Sequence, residues 1–314
     1  MFKTGGQGGG EQRAKVLVSR SLASTSNPQG MDQTVLTTTD HSRERAGLRY
    51  VYPVLSRRSR GLSVGVNLNP NNACNWRCVY CQVEGLRKGA APSIDIVQLG
   101  EELEAFLGQV LRGDYLERHL PVGFQELRDI AISGNGEPTT AREFPEVIQA
   151  IARVRGSLGI GASVKTILIT NGSQLHRPEV RQGIERLASL TGEVWFKVDR
   201  VTREGLWQVN RTRMSPERVE RNLAMCAELC PTWIQTCMFS WDGAPPPEAE
   251  IEAYLEFLQR LWRQTVPLCG VLLYTVARPS AQPEARHLAP LTAEALCALA
   301  DRICEVGLRV QVYP

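Results

Sequence analysis

Short apolar runs alternate along the chain with longer amphipathic ones. The runs Ser63–Asn69, Asp129–Ser133, Lys165–Thr170, Val194–Val198, Trp233–Phe239, Val271–Val276 and Leu308–Tyr313 read as strands. Between them, apolar residues recur at helical spacing over 97–112, 144–155, 178–189, 215–229, 248–264 and 292–305. Start signals support the helices: Ser215-Pro216 reads as an N-cap followed by the first helical residue, and Thr292 as another N-cap. Gly307 suits the position just past the last helix. Strand–helix alternation predicts an α/β protein whose parallel sheet is joined by right-handed crossovers. Six or seven such units fall short of eight-fold closure, so an open, partial (β/α)6 TIM-like barrel is expected.

In folds of this kind the chemistry collects beyond the C-terminal ends of the strands. The distinctive polar residues fall there. Cys74–Cys81 follow the first strand, Gly134–Glu137 the second and Asn171-Gly172-Ser173 the third. Lys197 and Asp199 close the fourth, Ser240-Trp241-Asp242 follow the fifth, and Arg278-Pro279-Ser280 the sixth. This register places one site on one face of the barrel.

Composition adds an asymmetry. Residues 1–62 carry ten Lys/Arg against four Asp/Glu, a charge of +6, whereas the whole chain is only +3. Residues 1–44 are expected to form a basic, disordered extension and 45–314 a single barrel domain. The first thirty residues are rich in Gly and Ser; they read as an upstream extension ahead of Met31 or, from their basic, acid-poor character, as a transit peptide. A basic arm suits a polyanionic partner, and equally a solvated tail. No apolar stretch is long enough to cross a bilayer. Nine cysteines without a secretory leader point to a reducing cytoplasm rather than to disulfides.

The sharpest signal is Cys74-x3-Cys78-x2-Cys81, three thiols in a loop with Asn71, Asn72 and Asn75. Soft thiolates at this spacing can each hold one iron of a [4Fe–4S] cube, and three ligands leave one iron open to a small molecule. Structural zinc wants four ligands, and none of the four histidines has finger spacing. Cys226 and Cys230, spaced i, i+4 on a helix, and Cys237 in a strand read as core residues rather than a second cluster. Cys297 and Cys304, spaced i, i+7, read as a core stripe of the last helix. One cluster is therefore expected. The second constellation is Ser133-Gly134-Asn135-Gly136-Glu137-Pro138, whose glycines let a backbone approach a ligand and whose Glu137 offers an acceptor to an ammonium group.

Together, the cysteine motif with aromatic Tyr80 and the Gly134–Pro138 run resemble the radical S-adenosylmethionine (SAM) superfamily over about residues 60–280. The resemblance implies a partial (β/α)6 barrel, a [4Fe–4S] cluster on Cys74, Cys78 and Cys81, and SAM on its open iron. It implies SAM contacts from Gly134, Gly136 and Glu137, with Tyr80 beside the adenine. Asn171, Ser173, Lys197 and Asp199 fall where polar contacts to ribose and carboxylate are usual. The implied reaction is reductive cleavage of SAM to a 5′-deoxyadenosyl radical that abstracts a hydrogen atom, fed by a reductant such as flavodoxin or ferredoxin. Gly65-Val66-Asn67, Ile167–Gly172 and Lys197-Val198-Asp199 are most similar to the wyosine-synthase-like group, which points to tRNA or RNA modification. The tRNA-modifying enzyme of that group carries a second cluster on upstream cysteines. No cysteine precedes Cys74, so a different substrate is expected.

For the substrate side, Lys197, Gln235 and Arg278 are the candidates inside the barrel, with Asn210, Arg211 and Arg213 as a polar, basic patch near it. Modification of a small molecule or peptide is the second enzymatic reading, and activation of a glycyl-radical partner the third. A non-catalytic iron–sulfur or zinc module, binding RNA or sensing redox state, is the competing class.

Overall fold

Among the residues that the computed structural model describes (35–37, 46–56 and 58–314), eight strands form one curled sheet. In spatial order they are β1 (Val51–Ser56), β2 (Gly61–Val66), β3 (Leu127–Ile132), β4 (Lys165–Thr170), β5 (Gly192–Lys197), β6 (Thr232–Cys237), β7 (Leu268–Tyr274) and β8 (Val310–Tyr313). From β2 onward every neighbouring pair is parallel. A helix follows each strand from β2 to β7: α1 (Ile96–Arg112), α2 (Phe144–Ser157), α3 (Pro178–Ala188), α4 (Pro216–Leu229), α5 (Glu248–Arg263) and α6 (Ala293–Glu305). The expected partial (β/α)6 barrel is the observed one, with an added strand at each edge.

The two-residue period of a strand sorts the barrel into layers. Val64, Ile130, Leu168, Val194 and Ile234 face the helices and are fully buried in the main core. Their neighbours Gly65, Ala131, Ile169, Trp195 and Gln235 line the inside instead. Each helix lays one stripe on the outer layer; in α1 it is Leu99, Leu103, Phe106, Leu107 and Val110. The caps read from the sequence are made. Ser215 Oγ accepts the Arg218 amide at 3.3 Å and Thr292 Oγ1 the Ala295 amide at 3.2 Å. Gly307, at φ +106°, donates its amide to the Cys304 carbonyl just past α6.

Strand β1 was not expected, because Pro53 interrupts the run. It pairs antiparallel with β2, and Pro53, opposite Val64, is tolerated because an edge strand can lack a donor on its outer side. The turn after β1 carries Arg58, whose guanidinium lies 5.3 Å from the Trp195 ring, 4.4 Å from Tyr274 and 5.9 Å from Tyr313. One cation thus reaches β5, β7 and β8 from the opposite edge of the sheet.

Two cysteine readings are revised or kept by burial. Cys226, Cys230 and Cys237 are buried, as expected of core thiols. Cys297 and Cys304 are exposed, because the stripe that α6 buries is Leu296, Leu299, Ala300 and Ile303 and both cysteines sit one residue past it. No helix among the described residues is long and apolar enough to cross a membrane.

Most of the stretch 1–44 lies outside the described residues. Within it, Leu36 is 1% exposed in the main core and its amide donates to the His119 carbonyl at 2.7 Å. Leu36→Ala is expected to lower the unfolding free energy by about 2–4 kcal/mol in a denaturant titration, as for other buried leucines. A change within about 0.5 kcal/mol, typical of surface substitutions, would show that this contact is not made in solution.

Candidate active site

Beyond β2 the chain leaves the sheet in an irregular loop that carries the three cysteines. Asparagines supply the hydrogen bonds that regular structure would have given. Asn67 Oδ1 accepts the amides of Asn69 and Asn135, both at 3.0 Å, and joins this loop to the one after β3. Asn69 Nδ2 donates to the Ala73 carbonyl at 2.9 Å, and Asn72 Oδ1 accepts from Asn135 Nδ2 at 2.6 Å. Asn75 bonds to Ser173 Oγ at 2.7 Å and accepts from Asn171 Nδ2 at 2.9 Å, which joins the loop to the end of β4.

The underside of the loop is apolar. Val79 is fully buried with Cys237 and Phe239, and Tyr80 packs on this cluster with its ring 5.8 Å from Phe239. On the C-terminal side, Ser280 Oγ donates to the Val79 carbonyl at 2.7 Å and the Ala281 amide to the Cys81 carbonyl at 2.9 Å. Glu284 closes the arrangement by a two-pronged pair with Arg77, at 2.8 and 2.9 Å, and a bond from Arg211 at 2.9 Å.

Glycines shape the loop after β3, for a reason other than the one expected. A Cβ on Gly134 would strike the Asn67 side chain, and one on Gly136 would strike the Ala73 carbonyl and Asn69. The space that these glycines leave is filled by the cysteine loop. Glu137 is likewise a strut. Its Oε1 accepts from the Thr139 amide (3.1 Å) and from the hydroxyls of Thr139 and Thr170 (2.5 Å each), while Oε2 accepts from the Asn171 amide at 2.6 Å. Burial pushes the Glu137 carboxyl upward, and these donors pull it back only in part. Oε2, with one donor, retains a lone pair for a further ligand.

All of this surrounds one cavity of about 350 Å³ that runs down the inside of the sheet. Cys74, Cys78 and Cys81 open onto it, as do Tyr80, Gly134, Gly136, Glu137 and Asn171. Lys197, Gln235 and Arg278 line it further round, and Ser63, Asp129, Trp195 and Arg58 line its deep end. Ser173 and Asp199 are not on its wall. Asp199 is buried behind it, with Oδ1 on the Cys237 amide at 2.9 Å and Oδ2 accepting the Tyr80 hydroxyl at 2.5 Å. Asn210 is buried, Arg211 pairs with Glu284, and Arg213 lies against the half-exposed Trp207. Sequence reasoning missed the wall residues Arg58, Trp195 and Tyr274, and it set Cys237 aside as core although its thiol also faces the cavity. The inward phase of β5 and β7 was the signal for Trp195 and Tyr274.

The electrostatics fit buried, uncharged thiols. Burial pushes the Cys74 and Cys78 thiols up to about 12. Any metal bound here must displace their protons. Lys197 Nζ lies 3.3 Å from the Tyr274 hydroxyl and 4.9 Å from the Tyr80 ring centre. Burial disfavours its charge, but the Asp199 carboxylate and the Tyr274, Cys78 and Cys237 groups around it raise its pKa overall.

Comparison with known proteins decides the family. The sequence model of the radical SAM superfamily matches residues 68–258, more than half of the chain. The chain belongs to the radical SAM superfamily. Members of that family use a [4Fe–4S] cluster and SAM and need a reductant. A UPF0026 protein of Helicobacter pylori (strain ATCC 700392 / 26695) is 30% identical over 135 residues, 42% of this chain and 38% of the relative. A UPF0026 protein of Synechocystis sp. is 26% identical over 162 residues, 51% of this chain and 52% of the relative. The matches thus span about half or less of these curated relatives. Among solved structures, TYW1 with a lysine–pyruvate adduct bound has a TM-score of 0.52 at 17% identity, over 79% of this chain and 74% of that one. A radical SAM methyltransferase from Sphaerobacter thermophilus has a TM-score of 0.54 at 14% identity, over 84% and 68%. At these identities the likeness shows the radical SAM fold alone.

The donor set fits the family's cluster. Three soft sulfurs of one loop share one cavity. Among the described residues no three His, Cys, Asp or Glu side chains converge on a single-ion site. A cube needs no such convergence, because each thiolate takes a different iron.

The loop's clamp has a pH signature. Hydrogen bonds from Arg77, and then from Arg211, hold the Glu284 carboxyl down at about 2 against an ordinary 4.5. A depressed carboxyl contributes its stability in full above the ordinary value and loses it as the pH falls toward the folded one. The stability gap between the unaltered apoprotein and Glu284→Gln should therefore be constant above about pH 5 and close between about pH 4.5 and 2 in denaturant titrations. A gap that ignores pH over that window would show that ionised Glu284 does not hold the loop.

Proposed function

We propose that Cys74, Cys78 and Cys81 hold the [4Fe–4S] cluster by three irons, and that SAM occupies the cavity beside it on the open iron. The observation that carries this reading is the convergence of three thiols, the Gly134–Glu137 loop and Asn171 on one cavity. Residues 45–314 form the catalytic unit, with 1–44 as a basic arm anchored to it at Leu36, working in the cytoplasm with flavodoxin or ferredoxin as the reductant. When held there, the cluster and SAM would supply one-electron reductive cleavage of SAM and, through it, hydrogen-atom abstraction from the substrate.

The chain's own residues bind, orient and exclude water. The spare lone pair of Glu137 Oε2 and the Asn171 side chain offer polar contacts to the amino-acid end and ribose of SAM, with Gly134 and Gly136 alongside. Tyr80, locked by its bond to Asp199 and by Phe239, is a fixed wall for the adenine. Asp199 and Ser173 act from behind, by holding Tyr80 and Asn75. Lys197, Gln235 and Arg278 face the substrate. Gln235 is 2% exposed and its Oε1 has no hydrogen-bond partner, so a substrate N–H or O–H there would relieve an unmade bond. Lys197 stays an ammonium beside Asp199, which suits it to hold an anionic group and disfavours attack on a carbonyl, for which the amine must be neutral.

RNA is the substrate class that the rim supports, ahead of a small molecule or peptide. Trp207 is 49% exposed, and the guanidinium groups of Arg211 and Arg213 lie 6.0 and 5.7 Å from its ring. An exposed indole between arginines offers base stacking together with phosphate contacts.

Two experiments test this reading. Anaerobically reconstituted protein with dithionite and SAM should release 5′-deoxyadenosine, and Cys78→Ala should abolish release. Failure of the loaded, unaltered protein to cleave SAM would refute the assignment. Single-stranded RNA binding, followed by anisotropy, should weaken steeply with salt and fall roughly tenfold in Trp207→Ala, on the order of one stacked base. Binding indifferent to both would remove RNA in favour of a small substrate.

A further inference from the structure

One buried amide reaches a cysteine that the proposed function makes a ligand. After β5 the chain passes through a single π-helical turn, Leu206–Asn210, which ends at Arg211 with φ +50°. Such turns are rare and are frequent at functional sites. This one grips the cysteine loop by its backbone: Arg77 N–H donates to the Asn210 carbonyl at 3.2 Å and Val79 N–H to the Val209 carbonyl at 2.9 Å.

The Asn210 side chain is fully buried at that junction. Its Nδ2 lies 2.7 Å from Asp199 Oδ2 and 3.3 Å from Cys78 Sγ. Asp199 settles which end of the amide points there, since a carboxylate accepts and only the NH2 group donates. One N–H serves Asp199, and the second is aimed at the sulfur. Cys74 has other neighbours: a backbone hydrogen bond from Trp76 reaches it, and Asn75 presents Oδ1 at 4.0 Å.

We propose that Asn210 is a positioning residue of the redox centre, whose side-chain N–H is donated to the Cys78 thiolate and raises the reduction potential of the bound cluster. This rests on the reading that Cys74, Cys78 and Cys81 hold the cluster. A hydrogen bond to a ligand sulfur draws off negative charge and so favours the reduced, more negative state.

The test is a potentiometric titration of the reconstituted cluster, followed by EPR, in the unaltered protein, Asn210→Ala and Glu284→Gln. The second variant loosens the same clamp without touching the amide. The midpoint potential should fall in Asn210→Ala and stay unchanged in Glu284→Gln. An unmoved potential in Asn210→Ala, or an equal fall in both, would overturn the proposal. Should Asn210→Ala fail to load a cluster, unaltered protein carrying asparagine labelled with 15N at the side-chain amide decides instead. A 15N coupling to the reduced cluster in pulsed EPR supports the bond, and its absence removes it. No cluster at all in the unaltered protein would sink the reading of the three cysteines and this inference with it. A cluster with an unmoved potential sinks this inference alone.

Discussion

An irregular loop that is pressed against the end of a barrel must satisfy its backbone polar groups with little help from regular structure, and here Ala73–Cys74 pairs with Arg87–Lys88 over two residues alone. That requirement governs the architecture around Cys74, Cys78 and Cys81. Asn67, Asn69, Asn71 and Asn72 answer it from within the loop, the carbonyls of Val209 and Asn210 from one side, and Ser280 and Ala281 from another. The asparagines belong to the loop itself, and the other partners follow the ends of β5 and β7. The loop's shape is therefore set by the curl of the sheet, and the sheet's upper rim is tied together by the loop.

The same constraint recasts the residues most easily read as ligand contacts. Gly134 and Gly136 are small because the cysteine loop occupies the space beside them, so they bring two strand-end loops together before any ligand arrives. Glu137 spends most of its acceptor capacity on Thr139, Thr170 and Asn171, and so joins the ends of β3 and β4. An acid braced in this way presents its remaining lone pair in one fixed direction. Preorganisation of that kind is worth more to a cofactor site than a freely rotating carboxylate would be.

Much of the fold was legible because its local signals agree with its packing. Ser215 and Thr292 cap the helices that their sequence predicts, and the alternation of strand and helix specifies parallel crossovers. Strand β1 was hidden by Pro53, which only an edge position permits, and edge positions are fixed by topology rather than by local sequence. Cys297 and Cys304 show the limit of a seven-residue spacing. It identifies residues that share a face without saying which face, and Leu296 and Ile303, one position earlier, take the buried one. In the site, the thiols stood out by their spacing, and the Gly134–Glu137 run by its place one strand further along; both open onto the one cavity. The deeper wall was not, since Arg58, Trp195 and Tyr274 meet only when the sheet curls.

Charge placement around the loop carries the functional argument furthest. Burial favours the protonated form of the Cys74 and Cys78 thiols. A cluster held as proposed would turn these thiols into a concentrated set of thiolates. The groups that can answer that negative charge are already in place: the Asn210 amide and, nearby, the Lys197 ammonium. Arg77 is committed instead to Glu284, outside the pocket, where it fixes the loop's path without adding charge beside the sulfurs. The chain thus separates the ion pair that holds the loop from the groups that face its sulfurs. Loop position and cluster electronics can then vary independently in sequence, which is what a scaffold shared by many radical reactions requires.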